Sequence, residues 1–423
     1  MSDAHPESIP AHCPGVKLGA GAGLALAAAV ALGGCSTAKP RQVHSEEELG
    51  AISATKMQDA RQTFGRTIEK VIARMETEAD PAGNSTLDFL ALSGGGDYGA
   101  FGAGFLVGWG ESPAPEWRRP DFDVVSGVST GALLAPFAYV GTDESCAQVE
   151  AFYRAPKPDW VRERGLLYFM PSNPSLMEIP GLERDIRKAV DAPFIAKMAE
   201  QSRKGKVMIV SATDLDFGRQ MLWDVGAEAE QAGTKEGDDK VGRILLASSA
   251  IPAIFPPVEI GGSAYADGGV TANVLVKLDV KSPHALIPRW KAMHPGKPLP
   301  KIRYWIIFNN QMQQPPKTVQ IKWPKVMSPS LATAIRSATI AELRWLAAEA
   351  EYANAVHGTD IEVRVVAIPN DWRPPVEGDF KVETMKSLAD VGRRLGADPK
   401  SWQLWVSKAT SRPDAPPTPA RQP

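Results

Sequence analysis

Short apolar runs alternate with longer helical patterns along most of this chain. Near-continuous apolar runs predict five buried strands, at residues 87–92, 122–126, 206–212, 303–308 and 362–368. Apolar positions at helical spacing predict five helices, at residues 100–109, 130–140, 182–199, 331–355 and 382–395. Strands that are apolar throughout and alternate with helices are typical of a sheet covered on both faces. The pattern therefore predicts an α/β fold, a three-layer α/β/α sandwich with a mostly parallel central sheet.

The segments outside this alternation divide the chain further. Residues 36–84 are predicted to form a flexible polar tether, which includes Ser45-Glu46-Glu47-Glu48, and then a helical segment. We expect one folded catalytic domain over residues 85–406, with loops at 226–240 and 282–300. The Pro-rich tail, residues 407–423, is expected to be disordered.

The N-terminal 35 residues have the pattern of an export signal. Residues 18–32 form an uncharged apolar run, too short to suit a membrane span, and Leu32-Gly33-Gly34-Cys35 follows. Small residues before a cysteine resemble a bacterial lipobox, whose cysteine is acylated. The long preceding region, with Asp3 and Glu7, departs from that pattern, so a weak membrane helix or an uncleaved tail stays open.

This pattern predicts where the protein is found. We expect Cys35 to be lipidated and the domain to be held at a membrane surface in a bacterial cell envelope. Ser36 follows Cys35, where an aspartate would resemble an inner-membrane retention signal. The outer membrane, facing the periplasm, is therefore favoured.

Composition and charge exclude several other classes. The chain has 423 residues, 43% of them hydrophobic, and a formal net charge of -2, so nothing favours nucleic acid as a partner. Its three cysteines, Cys13, Cys35 and Cys146, fit neither a disulfide framework nor zinc-ligand spacing. The sequence predicts no metal and no cofactor.

A candidate nucleophile lies between a predicted strand and a predicted helix. Gly127-Val128-Ser129-Thr130-Gly131 has the form and the context of a nucleophile elbow. Gly127 and Gly131 let the backbone turn sharply, and the helix after Ser129 directs its N-terminal dipole toward the hydroxyl. Alone, the pentapeptide is a moderate signal, because Gly and Ser also cluster in other tight strand-to-helix turns.

A glycine-rich turn follows the first predicted strand. In Ser93-Gly94-Gly95-Gly96-Asp97-Tyr98-Gly99, the backbone N–H groups of Gly94, Gly95 and Gly96 lie where an oxyanion could be held. The same glycines fit a dinucleotide-binding turn, which needs an acidic residue at the carboxyl end of the next strand. Asp121 and Asp123 lie at about the right distance along the sequence. However, they come before that strand or at its start, and not at its carboxyl end.

Asp267-Gly268-Gly269 follows an apolar run and a turn. A carboxylate beside two glycines is usually only a turn when it occurs alone. Its distance from Ser129 in sequence is no obstacle, because catalytic partners meet in space.

Together, the Gly-rich turn, the elbow and the D-G-G motif resemble the patatin-like phospholipase family. Two further stretches support the resemblance, 213–218 (TDLDFG) and 247–257 (ASSAIPAIFPP), and the whole match covers roughly residues 87–273. The resemblance implies hydrolysis of lipid acyl esters, often phospholipids, through a Ser-Asp dyad without a histidine. Ser129 would attack the ester carbonyl and Asp267 would accept its proton. The substrate partner would be a lipid.

One residue departs from the family pattern. Many members have a basic residue just before the last glycine of the first motif, where this chain has Tyr98, and Asp97 beside it adds an acid. This departure puts electrostatic assistance from the turn in doubt.

Three other functions stay open at this point. His284, His294 and His357 all follow Asp267, so a Ser-His-Asp esterase is formally possible, although we expect solvated surface histidines. The second is a dinucleotide-dependent enzyme that uses the Gly-rich turn, and the third is an envelope binding module with a decayed site.

Overall fold

The computed structural model describes residues 41–165, 173–276, 278 and 282–408, without the side chains of residues 323 and 324. The strands are β1 Thr86–Leu92, β2 Val124–Val128, β3 Arg162–Glu163, β4 Met177–Glu178, β5 Val207–Asp214, β6 Arg219–Asp224, β7 Val258–Ile260, β8 Ser263–Asp267, β9 Lys301–Gln311, β10 Asp360–Ile368 and β11 Gln403–Val406. The α-helices are α1 Glu46–Thr77, α2 Gly99–Gly110, α3 Thr130–Val140, α4 Asp143–Arg154, α5 Pro180–Ala189, α6 Ala192–Arg203, α7 Val225–Glu230, α8 Lys235–Ser248, α9 Leu286–Met293, α10 Trp323–His357 and α11 Val382–Ala397.

Within the described residues, nine strands form one central sheet in the order β11-β10-β9-β1-β2-β5-β8-β7, with β6 also paired to β5. The five strands in the middle, β10, β9, β1, β2 and β5, run parallel, and the other four are antiparallel to their neighbours. Helices cover both faces. The predicted α/β class with a mostly parallel central sheet is confirmed.

The core lies in two layers because successive side chains of the middle strands point to opposite faces. On β1, Leu90 and Leu92 pack with the layer that contains α2, α3 and α11, while Leu87 and Ala91 pack with the layer that contains α1 and α10. Both faces of the strand are therefore buried, which explains why its sequence is mostly apolar.

The register of three strands brings two parts of the chain to the same level. Val128, the last residue of β2, lies opposite Ser211 on β5. The next residue on β5, Ala212, lies opposite Asp267, the last residue of β8. Ser129, which follows Val128, is therefore at the level of Asp267, with β5 between their strands.

The N-terminal segment packs on the domain from the first described residue. Arg41 forms two hydrogen bonds of 2.7 Å to the Asp216 carboxylate, and Ser45 caps α1 through a reciprocal pair with Glu48. Residues 45–48, predicted as part of a flexible tether, are thus the capped start of a helix. Val71, Ile72 and Met75 of that helix are buried against the sheet.

The predicted helix at 182–199 is wrong as one element, because it is divided into α5 and α6. The Asp191 carboxylate accepts a hydrogen bond from the Phe194 N–H, and Pro193 lies in the first turn of α6. A capping carboxylate followed by proline starts a new helix.

Two predicted loops are partly wrong, because each contains helical residues. Most of the 226–240 stretch belongs to α7 and α8, whose N-termini are capped by Asp224 and Thr234. The 282–300 stretch contains α9, anchored by buried Trp290. The first stretch was predicted as a loop because it is charged, and the second because it is Pro-rich.

The described helices include none that is both long enough and apolar enough to cross a bilayer. Cys35 with its preceding apolar run, and most of the predicted tail, lie outside the described residues.

Candidate active site

Ser129 lies at the sharp turn between β2 and α3. Its backbone angles, φ 54° and ψ −126°, are in the left-handed half of conformational space that non-glycine residues rarely adopt. Such strain typically costs about 1–3 kcal/mol and is concentrated at functional sites. A Cβ atom at Gly131 would lie 2.1 Å from the Leu92 carbonyl oxygen, so this glycine lets the turn approach β1. The predicted nucleophile-elbow geometry is present.

The structure brings Ser129 and Asp267 together. The Ser129 hydroxyl donates a hydrogen bond of 2.6 Å to Asp267 Oδ2. The other carboxylate oxygen, Oδ1, accepts a bond of 2.7 Å from the N–H of Gly269. The D-G-G turn thereby fixes the carboxylate so that one oxygen faces the serine.

Burial makes Asp267 more basic than an ordinary aspartate. The side chain is enclosed, and desolvation raises its pKa to about 6, although hydrogen bonds from Ser129 and Gly269 partly oppose this rise. The carboxylate is still ionised at neutral pH. A carboxylate with a raised pKa accepts a proton from a hydroxyl more readily.

The Gly-rich turn lies directly against the elbow. A Cβ atom at Gly94 would lie 3.0 Å from the Cβ of Ser129. The N–H of Gly94 donates to the Asn273 carbonyl, at 3.3 Å, and so helps to hold the turn. The hydrogen bonds found within the described ranges do not use the N–H groups of Gly95 and Gly96. In the predicted oxyanion site, the N–H groups of Gly95 and Gly96 are therefore the ones that remain free to bind an oxyanion.

Two serines from the 247–257 stretch hold the elbow. Ser248 Oγ accepts from the Ser129 N–H at 2.9 Å, and Ser249 Oγ donates to the Ser129 carbonyl at 3.1 Å. Likewise, the Thr213 hydroxyl donates to the Asp267 carbonyl at 2.9 Å. The two stretches that contain these residues, 213–218 and 247–257, stand out in the sequence, but their role in holding the site was not predicted.

Asn309 supports the Gly-rich turn and was missed by sequence analysis. It is fully buried at the end of β9. Its side-chain amide donates to the Ser93 carbonyl, and its backbone N–H donates to the Ser93 hydroxyl, both at 2.8 Å. Its position at the carboxyl end of a predicted parallel strand was the available signal, because such ends share one edge of the sheet.

Tyr98, the residue at which the chain departs from the expected family pattern, packs against an aromatic side chain. Its ring meets Trp372 edge-to-face, with centroids 5.5 Å apart, and burial raises its pKa to about 12. Beside it, Asp97 accepts a hydrogen bond from the Phe380 N–H at 3.0 Å, and burial raises its pKa to about 7. The loop between β10 and α11 thus closes over the Gly-rich turn.

An apolar cavity opens beside Ser129. Gly96, Ser129 and Ser249 contribute its polar part. Its other walls are mostly apolar and aromatic: Leu133, Phe152, Trp160, Leu182, Ile251, Phe255 and Phe380. The lining of this cavity suits an apolar chain whose reactive end lies at the serine.

The histidines lie elsewhere. His294 contacts Glu76 and its ring packs against Trp290, so the expectation that it is solvated is wrong, because α9 buries its ring. His357 ends α10, and His284 is exposed. The hydrogen bonds of the Ser129 hydroxyl and the Asp267 carboxylate within the described chain go to each other and to Gly269.

The acidic residues considered for a dinucleotide site lie at the opposite edge of the sheet. Asp123 precedes β2 and pairs with Arg74 at 2.6 Å, while Asp121 pairs with Lys206. They are therefore remote from the Gly-rich turn at the carboxyl end of β1. The part of the chain that is described contains no cluster of side chains suited to a metal ion, and Cys146 is a buried free thiol.

Comparison with known proteins bears on the family. The structure of VipD from Legionella pneumophila aligns over 77% of this chain and 70% of its own, with 12% identity and a TM-score of 0.31. No curated protein matches the sequence. Residues 90–279 match the family model described as patatin-like phospholipase, and the matched range includes Ser129, Asp267 and most of the Gly-rich turn. The chain therefore carries a patatin-like phospholipase domain over residues 90–279.

Proposed function

We propose that this protein is a serine acyl hydrolase that cleaves lipid esters, of the phospholipid type, with Ser129 as nucleophile and Asp267 as base. The observation that carries the proposal is the 2.6 Å hydrogen bond from the Ser129 hydroxyl to Asp267 Oδ2, beside the apolar cavity. The matched family supports lipid esters as the class of substrate.

The first half of the reaction forms an acyl-enzyme. Ser129 Oγ attacks the ester carbonyl carbon while its proton moves to Asp267 Oδ2. The N–H groups of Gly95 and Gly96 hold the oxyanion of the tetrahedral intermediate, and one such donor typically contributes about 3 kcal/mol. The intermediate collapses when the carbon–oxygen bond to the alcohol breaks, and that alcohol takes the proton from Asp267.

The second half releases the fatty acid. A water molecule attacks the acyl carbonyl carbon and gives its proton to the Asp267 carboxylate. Collapse of this second intermediate breaks the bond to Ser129 Oγ, which recovers the proton. The same two side chains therefore serve both steps, and the Gly269 N–H keeps Asp267 in place throughout.

The proposal is tested by hydrolysis assays on the purified protein. We expect release of fatty acid from phospholipid vesicles and release of p-nitrophenol from medium-chain p-nitrophenyl esters, because the cavity beside Ser129 is lined mostly by apolar side chains. Ser129→Ala is the matched negative control. Binding of lipid without turnover of either substrate would instead favour the envelope binding module, with Tyr98 as the mark of its decay.

We also propose that Cys35 is lipidated and tethers the domain to the envelope membrane, with the outer membrane favoured. The docking of Arg41 supports a short tether. Asp216, which holds Arg41, follows the carboxyl end of β5, and Ser129 lies at the same edge of the sheet. The six residue-to-residue steps from Cys35 to Arg41 can extend at most about 20 Å. Such a tether would keep the active-site edge near the membrane.

Cell fractionation tests the anchor. The native protein is expected in the membrane fraction and should resist high-salt washing, because each buried methylene contributes about 0.8 kcal/mol and two acyl chains bury many. Cys35→Ser should appear in the soluble fraction. Release of the native form by salt, or equal membrane retention of the variant, would contradict the anchor.

A further inference from the structure

The segment between β9 and the middle of α10, residues 312–340, has an unusual charge pattern. It contains four basic residues and no acidic residue: Lys317, Lys322, Lys325 and Arg336. We call it the β9–α10 segment. Of its basic residues, Lys317 forms an ion pair within the described chain, with Glu377 at 3.2 Å. The segment is therefore a locally cationic surface in a chain that is slightly acidic overall.

This segment also exposes apolar side chains. From residue 312 to 338, none of the described side chains is buried, and Ile321 is 90% exposed. Val319 and Val326 are exposed as well. Within α10, Met327, Leu331 and Ile335 recur every four residues, which places them on one half-exposed face of the helix. Exposed apolar side chains that are grouped in one segment, rather than scattered singly, indicate a site of interaction.

The base of the segment contacts the loops of the active site. A Cβ atom at Gly269 would lie 3.6 Å from the Ile335 side chain, and the Asn273 side-chain amide donates to the Thr339 hydroxyl at 3.0 Å. At the other end, Lys317 pairs with Glu377 in the loop that supplies Phe380 to the cavity. The cationic, apolar surface therefore adjoins both the D-G-G turn and the cavity wall.

We propose that the β9–α10 segment is the surface that docks this protein on an anionic lipid bilayer and brings Ser129 to its substrate. The proposal rests on the proposed lipid hydrolase function. Lysines attract anionic headgroups, and the neighbouring Val319, Ile321 and Val326 enter the boundary between headgroups and acyl chains. Charge complementarity favours a lipid surface over a second copy of this chain, whose net charge is only -2.

The test compares vesicle binding by two matched triple variants. The first, Ile321→Ser/Lys322→Glu/Lys325→Glu, alters the segment. The control, Val356→Ser/Lys291→Glu/Lys297→Glu, makes the same chemical changes at exposed positions near the amino ends of β9 and β10, at the opposite edge of the sheet. Both are made in the full chain with Cys35→Ser, so that an acyl anchor contributes nothing.

The parent should bind phosphatidylcholine vesicles that contain phosphatidylglycerol more tightly than phosphatidylcholine vesicles alone. The segment variant should bind the anionic vesicles at least roughly 10-fold more weakly, while the control stays within about 2-fold of the parent. Hydrolysis of a soluble p-nitrophenyl ester should be equal in all three. A milder variant, Lys322→Gln/Lys325→Gln, should give a smaller loss and a weaker salt dependence of binding.

Equal binding of anionic vesicles by the parent and the segment variant would overturn the proposal. So would a parent that dimerises while the segment variant is monomeric, because the surface would then bind a second copy. Absence of soluble-ester hydrolysis in the parent would contradict the proposed enzyme function, whatever the vesicles show.

Discussion

Replacing Ser129 by alanine is expected to lower kcat for ester hydrolysis by at least about 10⁴-fold, since loss of a catalytic serine leaves only binding and oxyanion stabilisation. The hydroxyl is the atom that forms the acyl-enzyme, and neither the Gly-rich turn nor Asp267 can replace it. Alanine tolerates the left-handed backbone at this position about as well as serine does, so the variant should stay folded. Initial rates and circular dichroism check the two expectations.

Ser112→Ala is a suitable control for that substitution. Ser112 is also buried, and its hydroxyl has no hydrogen-bond partner among the described residues. Its removal should leave kcat within about 2-fold, because groups remote from the site and without partners contribute little. Full activity in Ser129→Ala would move the chemistry to another residue.

Replacing Asp267 by asparagine is expected to lower kcat by at least about 10²-fold, the usual contribution of a general base. Asparagine keeps the shape of the side chain, and its oxygen can still accept the Gly269 N–H, so the turn should persist. The amide cannot take the proton of Ser129. Steady-state kinetics on a soluble ester measures the loss.

The pH dependence of kcat/KM should identify the same carboxylate. The pKa of Asp267 is raised to about 6 by burial, and only the ionised form accepts a proton. Activity should therefore be full well above pH 6 and fall as the pH drops through that value. Asp97, with a pKa raised to about 7, is the competing group, and Asp97→Asn should leave the Asp267 limb of the profile unchanged.

The histidines provide the complementary control for the base. Alanine at His284, His294 or His357 should change kcat by no more than a few-fold, because the Ser129 hydroxyl donates its hydrogen bond directly to the Asp267 carboxylate. His294→Ala should instead lower stability, since its ring is buried against Trp290. Loss of turnover on a single histidine substitution would favour the classical triad.

The parts of the site that follow a strand directly could be predicted from sequence. The turn at Ser129 and the D-G-G motif at Asp267 depend on short-range features, namely glycines at fixed offsets beside an apolar run. The glycines that follow the first strand likewise predicted N–H groups placed where an oxyanion could be held. The structure agrees, with Gly94 close to the Ser129 side chain.

The groups that hold the site together could not be predicted, because they depend on contacts between distant segments. Ser248 and Asn309 lie 119 and 216 residues from the groups they hold, Ser129 and Ser93. The sequence places Asn309 at the end of a predicted strand and Ser248 in a distinctive stretch, but neither position shows which distant group the side chain would hold. The packing of Tyr98 against Trp372 is likewise a contact between distant segments. The sequence therefore showed that Tyr98 departs from the family pattern, but not what its ring contacts.

The identity of the nucleophile can be read directly by mass spectrometry of the protein after reaction with a fluorophosphonate. The probe reacts with a serine hydroxyl activated by a neighbouring base, and we predict one adduct, on the peptide that contains Ser129. Prior Ser129→Ala substitution should abolish the adduct, and Asp267→Asn should strongly slow its formation. An adduct on any other residue, or labelling that persists in Ser129→Ala, would contradict the assignment of Ser129 as the nucleophile.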